Sequence, residues 1–157
     1  MDTIYLLAAI CSIAGMLFSL FAAIQARRAS KAASAARDAV LVRSLADELQ
    51  LACTRGEQLV DFLQHLRYME ARLRVDELTW SLSELPYRRS PHLSTKHQNT
   101  LLTSRQQLQT IGEAIFKNEM SEDSIDKDQI INVARRVTMS LREVLGEVRS
   151  NIEHGES

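Results

Sequence analysis

Positions 4–24 carry no charge, and Tyr5, Ser12 and Ser19 are the only polar side chains among them. As a helix rising 1.5 Å per residue, a run of that length spans about 30 Å, one hydrocarbon thickness of a bilayer. Small residues recur through it in alternating steps of four and three, at Ala8, Ser12, Gly15, Ser19 and Ala22. Bulky Leu6, Leu7, Ile10, Leu17, Phe18, Leu20 and Phe21 fill the positions between. The same rhythm runs on through Ala26, Ala29, Ala33 and Ala36, so the pattern predicts one helix that leaves the apolar run without a break. Leucine then takes over the seam, with Leu41, Leu45, Leu49, Ala52, Gly56, Leu59, Leu63 and Leu66 at steps of three and four.

That order of side chains suits two solvents. In lipid, helices gain nothing from burying apolar surface against each other, so close backbone approach through small residues drives association. In water, leucine burial supplies the driving force. The period of the seam averages 3.5 residues, which favours a left-handed crossing.

The heptad register loosens near His65 to Tyr68, where the chain either turns or continues as one unbroken helix through 85. A second amphipathic helix follows to Leu85, with Met69, Leu73, Val75, Leu78 and Leu82 as its apolar set and Glu70 four residues before Arg74 for an ion pair. Pro86 and Pro91 bracket Tyr87, Arg88, Arg89 and Ser90 and predict a helix stop and a loop. A third helix should start near Ser94 or Thr95, with Thr95 and Gln98 at capping-box spacing. Its buried face would carry Leu101, Leu108, Ile111 and Ile115, flanked by Leu102 and Phe116. Glu119, Glu122, Asp123, Asp126 and Asp128 make an acidic loop, and Asp126 with Gln129 offers the next helix start. The last helix has the clearest period, through Ile130, Ala134, Val137, Leu141, Val144, Val148 and Ile152, with Ile131 and Leu145 beside them. So wide a stripe fits a bundle core.

The expected fold class is all-α, with a single N-terminal transmembrane helix continuing into a long cytoplasmic helix and about three shorter helices in a bundle. The expected divisions are an anchor over residues 1–24, a basic alanine-rich juxtamembrane helix over 25–40 and a helical bundle over 41–157.

Charge sets the direction. Arg27, Arg28, Lys31, Arg37 and Arg43 follow the apolar run with only Asp38 against them, and no cation precedes it. The positive-inside rule then places the N-terminus outside and the bulk of the chain in the cytoplasm, at the inner membrane. A cleaved leader would want a basic residue before a shorter apolar core and a small-x-small cleavage site after it. Arg27, Arg28, Lys31 and Arg37 are the expected contacts to anionic headgroups. Net charge over the 157 residues is −1, which argues against nonspecific nucleic-acid binding. Cys11 lies in the apolar run and Cys53 beyond it, so no disulfide between them is expected.

Catalytic patterns are sparse. His65, His92, His97 and His154 make no pair at zinc-ligand spacing with each other or with the two cysteines, and no metal or cofactor is expected. Asp47 with Glu48 and Asp76 with Glu77 sit side by side on predicted helices and read as solvated faces. Cys53 reads as structural, and Trp80 as core packing or a partly covered anchor. Arg149 and His154, with four residues between them, resemble the R-x(4–6)-H signature of the HEPN ribonucleases, a family of small helical bundles. That resemblance implies RNA cleavage completed across a dimer, but here the pair stands at the extreme C-terminus, unlike the family pattern.

The expected function is structural. The chain would anchor in the bilayer, associate with further copies through the small-residue seam, and present the bundle to a cytoplasmic protein partner, with the Tyr87, Arg88, Arg89 loop as a recognition element. An oligomeric effector that opens a pore or disturbs the bilayer, in outline like the membrane-anchored helical proteins of bacterial defence systems, is the alternative. A HEPN-like ribonuclease is a distant third.

Overall fold

The computed structural model of the chain describes residues 2–88, 93–120 and 126–155, with side chains described for 15–86, 93–117 and 126–152. Among these residues it is all-helical: α1 runs Asp2–Gln64, α2 Tyr68–Arg88, α3 Thr95–Met120 and α4 Lys127–Gly155. The chain divides into two units, Met1–Val40 and Leu41–Ser157. The first is the N-terminal part of α1, and every described side chain in it is exposed. The second holds the rest of α1 with α2, α3 and α4 around one core.

In the second unit the leucine ladder is buried as its spacing predicts. Leu45, Leu49, Ala52, Leu59 and Leu63 lie in the core, whereas Leu66 falls beyond the helix end and is exposed. On α4 every expected apolar position from Ile130 to Val148 is buried, with Ile131 and Ile152 packed at its edge.

Ion pairs fix the directions. Glu57 pairs with Arg142 at 2.5 Å, and Arg149 donates to Gln50 at 3.1 Å. Seven residues back along α1 thus match seven residues forward along α4, so the two are antiparallel. Arg55 of α1 reaches Ser81 of α2 at 3.1 Å, and the start of α3 meets the end of α4 through Lys96 and Glu147 at 2.5 Å. Closest packing runs from α2 to α3 and from α3 to α4. The unit is an antiparallel four-helix bundle joined in chain order.

The turn after α1 falls where the register loosens. Leu66 adopts a left-handed backbone, φ 58°, while Leu66 N–H donates to Leu63 and Arg67 N–H to Phe62. These two bonds form a Schellman motif, which satisfies carbonyls that the ending helix would leave open.

The structure corrects α2 in four respects. Its buried face is Ala71, Val75, Leu78, Leu82 and Leu85, while Met69 and Leu73 are exposed. The apolar set of this helix is wider than one face can bury, and packing selected the residues aligned with Leu78. Trp80 is 63 % exposed, which removes the core alternative and leaves the partly covered one. Glu70 pairs with Arg67 before it, and Arg74 pairs with Glu77, so the expected Glu70 to Arg74 pair does not form. Finally, α2 continues past Pro86 to Arg88. A proline in a last turn withholds one helical donor, from the carbonyl of Leu82, and buried Leu85 pins that turn to the core.

The cap of α3 is Ser94, not Thr95. Ser94 Oγ accepts from His97 N–H at 3.2 Å, and the Gln98 amide donates to the Leu93 carbonyl. Leu101, Leu108, Ile111 and Ile115 are buried, but Leu102 and Phe116 are about half exposed, 50 % and 47 %. Asp126 caps α4 as expected, accepting from Gln129 N–H at 3.2 Å.

Candidate functional site

Residues 15–24 make almost three turns of helix, and their large side chains Met16, Leu17, Phe18, Leu20, Phe21 and Ile24 are all exposed, from 43 % to 77 %. Apolar side chains therefore face outward on every side of this segment. A helix at a water-facing surface keeps a polar face, and one that is apolar all round is a buried helix or a membrane span. Of the seam residues, Gly15, Ser19 and Ala22 are exposed, and nothing lies within 4 Å of where a Gly15 Cβ would stand. Ser19 donates to the Gly15 carbonyl at 2.8 Å, so its hydroxyl is satisfied inside its own helix. The side chains of Ala8 and Ser12 lie outside those described, as do those of residues 4–14 of the uncharged run. Among the described residues no helix is long and apolar enough to cross a membrane.

The basic residues follow directly. Arg27, Arg28, Lys31 and Arg37 are exposed, and none is ion-paired among the described residues. Four cations within eleven positions repel one another unless anions gather around them.

Elsewhere the structure separates what the sequence grouped. Tyr87 and Arg88 form the last turn of α2, which corrects their assignment to a loop; their side chains and the whole of Arg89 lie outside the description. The acidic group is likewise dispersed: Glu119 is on α3, Asp126 is the cap of α4, and Asp128 is in its first turn. Glu122 and Asp123 fall outside the described residues.

Arg149 holds α4 to α1 through Gln50, and the side chain of His154 lies outside those described. Cys53 is buried between the same two helices, and burial pushes its thiol up, against the lowering pull of Arg142. That shift makes it a poorer nucleophile. No group of three or more metal-ligating side chains occurs among the described residues.

One polar cluster escaped the sequence reading. His97 is 4 % exposed, with Nε2 2.7 Å from Glu147 Oε2, while Lys96 Nζ lies 2.5 Å from the other oxygen of the same carboxylate. Glu143 stands 4.0 Å from that ammonium. Glu147 is held below the usual carboxylate range, first by the Lys96 hydrogen bond and then by His97, and Lys96 is raised in turn by Glu147. A histidine with a carboxylate has the composition of a base dyad, but His97 is buried and is not among the lining residues of the two clefts along α3. The cluster fastens the start of α3 to the end of α4. Its signal was present in the sequence: His97 and Ser104 continue the steps of Leu101, Leu108, Ile111 and Ile115, and both are buried.

Comparisons with protein-family models, with curated proteins and with solved structures give no match for this chain.

Proposed function

We propose that the chain is a single-pass membrane protein whose N-terminal helix anchors it and associates with further copies, while the four-helix bundle serves as an interaction module on the cytoplasmic face. One observation carries this reading: residues 15–24 turn apolar side chains outward on all sides and are followed at once by unpaired Arg27, Arg28, Lys31 and Arg37. An all-apolar helix needs a solvent of its own polarity, and a cationic collar beside it matches anionic headgroups. The uncharged run extends back to residue 4 in the sequence, which makes up the length a span requires. The collar sets the bulk of the chain on the inner side.

Self-association rests on the small residues Ala8, Ser12, Gly15, Ser19 and Ala22. The satisfied Ser19 hydroxyl suits a seam packed by contact, since it asks for no water. In this reading the bundle has no catalytic role and takes a protein partner.

The test is extraction of membranes with alkaline carbonate, followed by oligomeric mass in lipid nanodiscs for the wild type and Gly15→Leu. The chain should stay with the membrane, and the wild type should have the mass of several copies. Gly15→Leu should insert normally and lose that mass, because the open space around Gly15 lets a leucine fit in a lone helix but not at a packed seam. Release by carbonate would remove the anchor. A wild-type monomer, or a variant of unchanged mass, would remove the seam.

A further inference from the structure

Between α2 and α3 the bundle surface opens into a cleft of about 560 Å³, within the size range of small-molecule sites. Leu82, Ser83 and Pro86 form its α2 wall, and Asn99, Leu102 and Arg105 form most of the α3 wall. Buried Leu82 makes the floor, and half-exposed Leu102 and Pro86 make apolar sides. The Ser83 hydroxyl is already spent on the carbonyl of Trp80, at 2.7 Å.

Arg105 is the one charged residue among the described residues of this lining. It is half-buried, it has no ion-pair partner among the described residues, and its Nε is covered by protein without a hydrogen-bond acceptor. Arg55 and Arg74, the other partly buried arginines described, share the carboxylate of Glu77, although Arg74 Nε, like that of Arg105, has no acceptor. A partly desolvated guanidinium without a counter-ion is stabilised by an anion that pairs with it. No carboxylate occurs among the described residues of the lining. The apolar walls at the same time disfavour a fully hydrated ion such as phosphate, which would lose its water shell against Leu82, Leu102 and Pro86.

We propose that this cleft binds a small amphipathic monocarboxylate, with the carboxylate on Arg105 and the apolar body along Leu82, Pro86 and Leu102. The planar guanidinium matches a carboxylate in two parallel hydrogen bonds. Asn99, exposed on the α3 wall, supplies a further amide to the polar end. The site lies wholly within the bundle, and it stands whether or not the N-terminal helix anchors the chain.

The test uses the full chain in nanodiscs and phenylpropionate as probe, read by saturation-transfer NMR against empty discs. Phenylpropionate should bind saturably, and its neutral amide should bind at least about tenfold more weakly, as loss of a charge-assisted pair requires. Arg105→Gln should weaken binding by a similar factor. Asn99→Phe, which fills the cleft from an exposed position, should abolish binding while the thermal midpoint and helical circular dichroism stay those of the wild type. The proposal fails if the signal does not exceed that of empty discs, if the amide binds equally, or if a folded Asn99→Phe binds as the wild type does. Displacement of the probe by an equal concentration of inorganic phosphate would also overturn it, since the site would then read charge alone.

Discussion

Gly56 on α1 faces Thr138 on α4 so closely that a Cβ on Gly56 would stand 2.7 Å from Thr138 Oγ1 and 3.4 Å from its Cβ and Cγ2. Thr138 is buried, and its hydroxyl donates to the Ala134 carbonyl at 2.9 Å, so it cannot swing aside without giving up a bond. Gly56→Ala should therefore destabilise the bundle by about 1–3 kcal/mol, the usual cost of overpacking, despite alanine's better helix propensity. Thr138→Ala removes the clashing atoms and should recover most of that loss in the double variant. Denaturant titration of the single and double variants checks it, and additive losses would show that the two residues do not meet.

The turn after α1 places a leucine where helices usually end in glycine. Leu66 has φ 58° and is 52 % exposed, so its side chain gains little from packing. Leu66→Gly should stabilise the bundle by up to about 1 kcal/mol, the left-handed penalty less the extra freedom glycine has in the unfolded chain. A fall in thermal midpoint would mean that the side chain contributes a contact larger than its exposure suggests.

At the start of α3 two hydroxyls compete for the capping role. Ser94 Oγ accepts from His97 N–H, whereas Thr95 is exposed in the first turn. Ser94→Ala should cost about 1 kcal/mol and Thr95→Ala only a few tenths. Equal losses would put the cap at the wrong residue.

The Glu147 cluster makes stability depend on pH at both ends. Its folded carboxylate is depressed below 4.5, chiefly by Lys96, so its contribution is complete above that value and is lost as pH falls through the depressed one. The Lys96 ammonium is raised above 10.5 by the same pair, so its contribution is complete below that value and is lost as pH rises through the raised one. Thermal midpoints measured from pH 3 to 6 should fall more steeply on acidification for the wild type than for Glu147→Gln. Parallel curves would show that the cluster adds nothing to folding.

Periodicity made much of this fold legible. The ladder from Leu45 to Leu63 and the stripe from Ile130 to Val148 are each read at steps of three and four, and each is buried as read. The Asp126 cap was also visible, since an acceptor three residues before an amide is a local feature, whereas the loosened register near residue 66 left a turn and an unbroken helix both open until the structure placed the turn there. For α2 the local rules failed. Met69, Leu73 and Trp80 lie within one band of the helix surface, but apolar character alone does not say whether a band meets a neighbour or solvent. The candidate site divides in the same way. The uncharged run and its cationic collar are properties of consecutive residues, whereas the Arg105 cleft draws on two helices and has no linear trace.

What the sequence by itself determined is the helical class and the buried seams of α1 and α4, because both depend on residues within a few turns of one another. Tertiary structure alone decided which face of α2 is covered, that His97 and Lys96 share Glu147, that Gly56 must stay small against Thr138, and that Arg105 stands in a cleft between α2 and α3. Each of these depends on the distance between helices far apart in the chain, and the period of a helix fixes which residues share a face but not what that face meets.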